Sequence, residues 1–503
     1  MSRILSRDRE GAAPLKLVLC AALVGYFLLT TGSIFTRLPW VDEGIFASPA
    51  YNLIFKGYMG TTSMETAGTA WQGIERHTYW IVPLHMLAQA GWYKLFGFGL
   101  FSMRALSALW GLAALAALYS IALRFSGDRA VAALAASLIA LDCSFIATAS
   151  SGRMDMMNAA LGMAALAAYL CLRERHLPIA VLASHSLVCA SGLTHPNGIL
   201  YFASLLFLMI YFDRGRISWR DWALAAVPYG VGALGWGLYI REEPASFLSQ
   251  FTGNMRNGGR LSYLSAPWAG AWNDLVVRYL GYFGLSPGST PLSRLKLIIP
   301  LVHAVGLAGL LSVAALRRQA GYRALLGMAA LHFGMLSVYD GQKLPYYLIH
   351  TVPLLDAIVA VWIVSAWTKG SIPRSLLGAL LAAFLGVQLL TTVQRIRQNP
   401  YRTSYLPAVR FLQNNAVHPG LIIGSSALDF GLGFEGAAID DPRLGYNSGK
   451  SPDFIVVGDV DYAEYFRGFQ TDEPVVYRFI VERLAKEYRL VYNQAGEKIY
   501  ARR

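Results

Sequence analysis

Long apolar runs alternate with short polar segments along most of the chain, a pattern that predicts membrane-spanning helices. Runs long enough to cross roughly 30 Å of hydrocarbon begin near Leu15, Arg104, Arg129, Met156, Leu177, Asn197, Trp222, Lys296, Tyr322, Tyr346 and Ile372. They predict about eleven spans. Residues 79–96 are apolar too, but Pro83, His85, Gln89, Trp92 and Lys94 interrupt them, as in a helix lying at the membrane surface. The basic residues decide between the two readings. With 79–96 on the surface, Arg124 and Arg129, Arg173 and Arg175, Arg214, Arg216 and Arg220, Arg317, Arg318 and Arg323, and Lys369 and Arg374 all fall inside. If 79–96 spanned, those loops would turn outward while the basic N-terminus (Arg3, Arg7, Arg9, Lys16) stayed inside, against the positive-inside rule.

This topology leaves residues 36–103, 150–155, 241–295 and everything after Arg395 on the outer side. The tail changes character. Residues 421–423 and 454–457 read as short strands, 475–487 as an amphipathic helix, and 489–492 and 498–501 as strands around a glycine turn. The expected architecture is an α-helical polytopic membrane protein, residues 1–394, with interfacial helices in its first outer loop. A small soluble α/β domain follows at 395–503.

Composition agrees: 55% of the 503 residues are hydrophobic and 15% charged, too apolar for a soluble globule. The formal charge of +13 sits in short clusters between apolar runs, which marks cytoplasmic loops and argues against nucleic-acid binding. Cys20, Cys143, Cys171 and Cys189 lie in apolar stretches without metal-ligand spacing, so neither a disulfide framework nor a zinc site is indicated.

The candidate chemistry collects on the outer side. Asp42 and Glu43 follow the first span; either is a candidate general base, and a helix cap is the plainer reading. Arg153 and Asp155 occupy the short second outer loop, where charge is costly unless used or paired. Glu75, Arg76 and His77 precede the interfacial segment at the depth of a lipid phosphate, and Lys343, before Tyr346 and Tyr347, is a second point charge suited to phosphate or a snorkelling anchor. His195 fits an ordinary turn residue as well as a ligand contact. Asp142 lies inside a span and is expected to face the interior, where it could support Arg153. Arg256 and Arg260 belong to a Gly-rich stretch, 253–259, that could close over a substrate.

An Asp-Glu pair after the first span, an outer Arg-x-Asp, and Lys343-Leu344-Pro345-Tyr346-Tyr347 near the end together resemble the protein mannosyltransferase and lipid A aminoarabinose transferase superfamily of C-type glycosyltransferases. The resemblance extends to the tail, with Pro452-Asp453-Phe454-Ile455-Val456-Val457 and Glu497-Lys498-Ile499-Tyr500. It implies a polyprenyl-phosphate sugar donor, Asp42 as the catalytic carboxylate, Asp155 as the second-loop acid and Glu43 in support. A bacterial inner membrane with a periplasmic active site is implied likewise. Where the family often has Glu-Lys-Pro-Pro or His-Pro-Pro, this chain reads Glu75-Arg76-His77-Thr78.

Displacing a phosphate from an anomeric carbon requires a base and cations, and the expected roles are Asp42 for the first and Arg76, Arg153 and Lys343 for the second, with inversion. The acceptor, a lipid, glycan or protein, is left open. Asp42, Glu43 and Asp155 could also supply oxygen ligands to a divalent metal. The competing class is a secondary transporter or lipid flippase, which would ordinarily show internal repeats and polar sites at the midplane.

Overall fold

The computed structural model describes residues 2–257, 259–415 and 420–503, with side chains from residue 15 onward and without that of Asn257. The side chains of Arg3, Arg7 and Arg9, and Gly258 of the Gly-rich stretch, therefore lie outside the described residues. Among the described residues, eight helices are long and apolar enough to cross a membrane: Leu15–Thr36, Leu100–Ser126, Asp155–Leu172, Leu177–Thr194, Trp219–Ile240, Pro291–Ser312, Val352–Lys369 and part of Arg374–Asn415. Three of the eleven expected runs form helices that differ from that pattern. Gly198–Asp213 has 16 residues and Ala320–Tyr339 has 20. The third is a pair, Arg129–Ala140 and Cys143–Ala149, bent by 64°.

The bend corrects the expectation for Asp142. Its carboxylate accepts from the Ser144 and Phe145 amides, both at 2.8 Å, and from Gln388 Nε2 at 2.6 Å. An aspartate that caps a new helix stops the previous one, so Asp142 makes the break and ties it to the last span. It does not support Arg153.

Leu84–Phe96 has 13 residues, about 20 Å of helix, too short to cross. It accompanies Val41–Phe55 in the first loop. The chain closes on a five-stranded sheet of order β2-β1-β3-β5-β4: β1 Ile422–Ile423, β2 Ala438–Ile439, β3 Phe454–Gly458, β4 Tyr488–Gln494 and β5 Glu497–Arg502. β1 pairs in parallel with both neighbours, whereas β3, β5 and β4 are antiparallel. The β4–β5 connection puts both Ala495 and Gly496 at positive φ, the backbone of a type I′ hairpin. Helices Tyr462–Asp472 and Pro474–Glu487 bury Tyr462, Val476 and Ile480 against Ile455 and Val457 of β3.

The tail docks on the first outer loop. Ser426 Oγ donates to the Val41 carbonyl at 2.6 Å, and Asp440 exchanges backbone hydrogen bonds with Ser63 and Glu65 at 2.8 and 3.0 Å. Between these contacts Gly44 meets the Ser426 carbonyl so closely that a Cβ would overlap it.

Candidate active site

Under the tail lies a cavity of about 1040 Å³. Its membrane side includes Asp42, Arg153, His195, Arg260, Tyr346 and Tyr347, and its roof is the helix Tyr462–Asp472 with Glu464, Tyr465 and Phe469. Trp40 sets one edge: it precedes Val41–Phe55, so Asp42 and Glu43 both fall in that helix's first turn, where carboxylates suit the dipole. Successive helical residues point about 100° apart, so the two acids face different surroundings.

Glu43 turns inward and is fully buried. It takes Arg104 Nε and Nη2 at 2.8 and 2.7 Å, the Gly152 amide at 2.8 Å and the Trp40 amide at 3.0 Å. Burial alone would raise its carboxyl, but the guanidinium groups of Arg104 and Arg37 and the Gly152 amide hold it below the ordinary range. This corrects the catalytic role expected for Glu43: every oxygen is occupied and none faces the cavity. Its function is to clamp the first loop, the second span and the second outer loop together. Arg104 also donates to the carbonyls of Ile34, Arg37 and Leu38. The sequence signal for Arg104, a lone arginine inside an apolar run, was read only as the start of a span.

Asp42 faces the cavity. Its carboxylate pairs with Arg153, which also reaches Asp155 Oδ2 at 2.7 Å. The Asp42 side chain keeps 23% of its exposure and that of Asp155 none, so Asp42 alone of the two can meet a ligand in this cavity. Arg153 is packed 3.9 Å from the Tyr346 ring centre and 5.1 Å from that of Trp40, two cation–π contacts that help to hold it in place. Burial would lower its basicity, but Asp155 and the neighbouring tyrosines raise it, so it stays charged.

His195 is at the cavity wall. The Asn197 amide donates to its Nδ1 at 3.0 Å, which leaves the proton on Nε2, 3.3 Å from the Tyr347 hydroxyl. Burial pushes it down to about 4, so it is neutral near pH 7. Arg260 Nη1 reaches the same hydroxyl at 3.4 Å, with its Nε unpartnered. Asn197 and Tyr339, joined at 2.9 Å, and the acidic residues of the roof complete the lining; the roof was not legible in the sequence, because a helix from the distant tail contributes it.

Several expected residues are placed elsewhere. Glu75 and Arg76 are exposed, and among the described residues Arg76 makes no salt bridge and lines none of the larger cavities. His77 turns to Glu242 and Glu243 at 2.9 and 3.1 Å. Lys343 is buried and spent on Asp274 at 3.3 Å and the Ser337 carbonyl at 2.7 Å, although its neighbours Gln342 and Leu344 line the cavity. Arg256 is exposed and outside that lining. The three acids do not converge on one point, since Glu43 belongs to Arg104 and the other two to Arg153. Among the described residues no group of three His, Cys, Asp or Glu could hold a metal ion.

Residues 82–211 match the family model of the dolichyl-phosphate-mannose-protein mannosyltransferases. A search of curated proteins by sequence finds no match. Among solved structures the chain is similar to ArnT from Cupriavidus metallidurans bound to undecaprenyl phosphate, at 16% identity and a TM-score of 0.62, covering 97% of this chain and 98% of that one. The apo form of that ArnT gives 17% identity and a TM-score of 0.61, with 98% of each chain covered. The oligosaccharyltransferase AglB from Archaeoglobus fulgidus, in complex with an inhibitory peptide and a dolichol-phosphate, matches at 14% identity and a TM-score of 0.53, over 94% of this chain and 69% of that one. The chain thus has the GT-C fold in its ArnT-like form, and over residues 82–211 it carries the sequence pattern of the protein mannosyltransferases.

Proposed function

We propose that this protein is a membrane glycosyltransferase that moves a sugar from a polyprenyl-phosphate carrier to an acceptor. The observation that carries the reading is the Asp42–Arg153–Asp155 arrangement on the wall of the large cavity, in a fold whose solved examples hold undecaprenyl phosphate and dolichol-phosphate. An acceptor oxygen attacks the anomeric carbon from the face opposite the phosphate. The new C–O bond forms as the sugar–phosphate C–O bond breaks, the acceptor's proton passes to Asp42, and the configuration inverts. The departing phosphate carries its electron pair away and is met by Arg260, with the Tyr347 hydroxyl beside it, and by Arg153. Asp155 holds Arg153 in place and keeps it from neutralising Asp42 fully.

The distribution of the basic loops supports an outward-facing cavity, and the resemblance supports the periplasmic side of a bacterial inner membrane as its setting. The test is turnover of undecaprenyl-phosphate sugar by the purified chain in nanodiscs, with native mass spectrometry of the lipids that co-purify. Undecaprenyl phosphate should be released and the carrier found bound; a chain that neither binds the carrier nor releases it from its sugar would refute the proposal.

A further inference from the structure

Four charged side chains are buried beside the outer cavity without lining it. Asp274 and Arg278 lie on successive turns of Asp274–Leu285, Asp340 ends the helix Ala320–Tyr339, and Lys343 follows it. Arg278 pairs with Asp274 at 2.8 Å and also with Asp340, and Lys343 pairs with Asp274 at 3.3 Å. Two cations and two carboxylates thus close a neutral set in which no side chain is more than 4% exposed. The reaction above uses none of them. Burying four charges is costly, and apolar side chains of the same size would join the two helices as well. What the charges add is a fixed geometry.

That geometry is spent on a turn. Between Asp340 and Lys343 the chain reverses tightly, with Lys343 at a φ of 53°. Gly341 donates its N–H to the Arg260 carbonyl at 2.8 Å and lies so close to the Gly259 carbonyl that a Cβ would overlap it. Lys343 Nζ stands 4.6 Å from the ring centre of Tyr263, whose hydroxyl accepts from Asn273 Nδ2 at 2.8 Å. Residues 259–266 have little else to hold them: their other backbone hydrogen bonds are local, and Leu261, Ser262, Leu264 and Ser265 are exposed. The same turn runs into Pro345–His350, which carries Tyr347, and it is the Tyr347 hydroxyl that Arg260 Nη1 reaches at 3.4 Å. One turn therefore sets both the backbone that bears Arg260 and the side chain that Arg260 meets.

We propose that Asp274, Arg278, Asp340 and Lys343 are positioning residues: they fix the turn at Gly341, and the turn seats residues 259–266 so that Arg260 is held at the cavity for the phosphate of the donor. An arginine on an exposed segment must otherwise be ordered when the ligand arrives, and that ordering weakens binding. The phosphate rests on the transferase reading; the seat does not. Lys343 then serves the phosphate through Arg260 and without touching it.

The full-length chain in nanodiscs tests this with Gly341→Ala, which sets one methyl group against the Gly259 carbonyl and changes no charge, and with Lys343→Gln, which leaves Asp274 paired with Arg278. Hydrogen exchange of residues 259–266 reads the seat, and native mass spectrometry reads the affinity for undecaprenyl phosphate. Each variant should quicken that exchange and weaken the carrier about 10-fold. Arg260→Gln should weaken it about as much, and adding either variant to Arg260→Gln should cost less than about twofold more, because the group being positioned is gone. Losses that multiply would overturn the proposal, and for Lys343 they would restore a direct grip on the phosphate. Parental exchange in both variants would show that there is no seat. A parent chain that neither binds nor releases the carrier would remove the transferase reading and the phosphate with it, whereas quickened exchange in both variants would still leave the seat standing.

Discussion

Asp42 and Glu43 are neighbours in sequence with opposite fates, and single substitutions should separate them. Asp42→Asn keeps the shape but cannot accept a proton, so turnover should fall about 10²- to 10⁴-fold with carrier binding nearly intact. Near-parental turnover by that variant would reassign the base. Glu43→Gln or Arg104→Met leaves an uncompensated charge where both side chains are fully buried, and should destabilise the fold by about 3–5 kcal/mol. Thermal unfolding in detergent, followed by loss of monodisperse protein, reads this directly; equal loss of turnover without loss of stability would return Glu43 to the chemistry. The acidic pair was legible in the sequence, but not which member faced the ligand, because that depends on an arginine 61 positions away. Arg76 and Lys343 were legible only as outer cations, and their surroundings decided against them. Exposed Arg76 has nothing to orient it toward Asp42, and Asp274 neutralises Lys343.

Among the elements, the interfacial segment at 79–96 was readable because polar residues interrupt it and the basic loops would face the wrong way if it spanned. The broken helix at Asp142 was not, since a capping carboxylate and a midspan carboxylate look alike until the backbone direction is known. The contact between Val41–Phe55 and the tail depends on a glycine. Gly44→Ala would push a methyl group into the Ser426 carbonyl, so the helix and the tail must separate or shift. The expected result is faster proteolysis within residues 420–503 and a drop in turnover, with the spans still folded by circular dichroism. Unchanged protease resistance would mean that the two surfaces are not held as described.

For the whole molecule, the outer cavity exists only if the first loop and the tail share a side. In a background without the four cysteines, a membrane-impermeant maleimide should label Glu75→Cys and Glu482→Cys in intact cells and spare Arg318→Cys; labelling of the first two from opposite sides would dissolve the site. The folded tail should also respond to pH. Burial, set against its hydrogen bonds from Ser426 and Tyr462, raises Asp440 to about 7, so the folded tail binds a proton that the unfolded chain, near 4, has released. The tail and the loop contacts it carries are therefore most stable below about pH 4 and lose stability as pH rises to about 7. Hydrogen exchange of residues 61–65 and 438–440 should quicken across that window in the parent and lose most of the change in Asp440→Asn; an identical profile in both would place the titration elsewhere. Local periodicity, length and charge along the chain were enough to read the helical membrane architecture, the interfacial segment and the sheet-bearing tail. Only the tertiary structure decided which acid faces the cavity, which cations stay free, and that a tail helix roofs the site, because ion pairing and burial are set by residues that meet from distant parts of the chain.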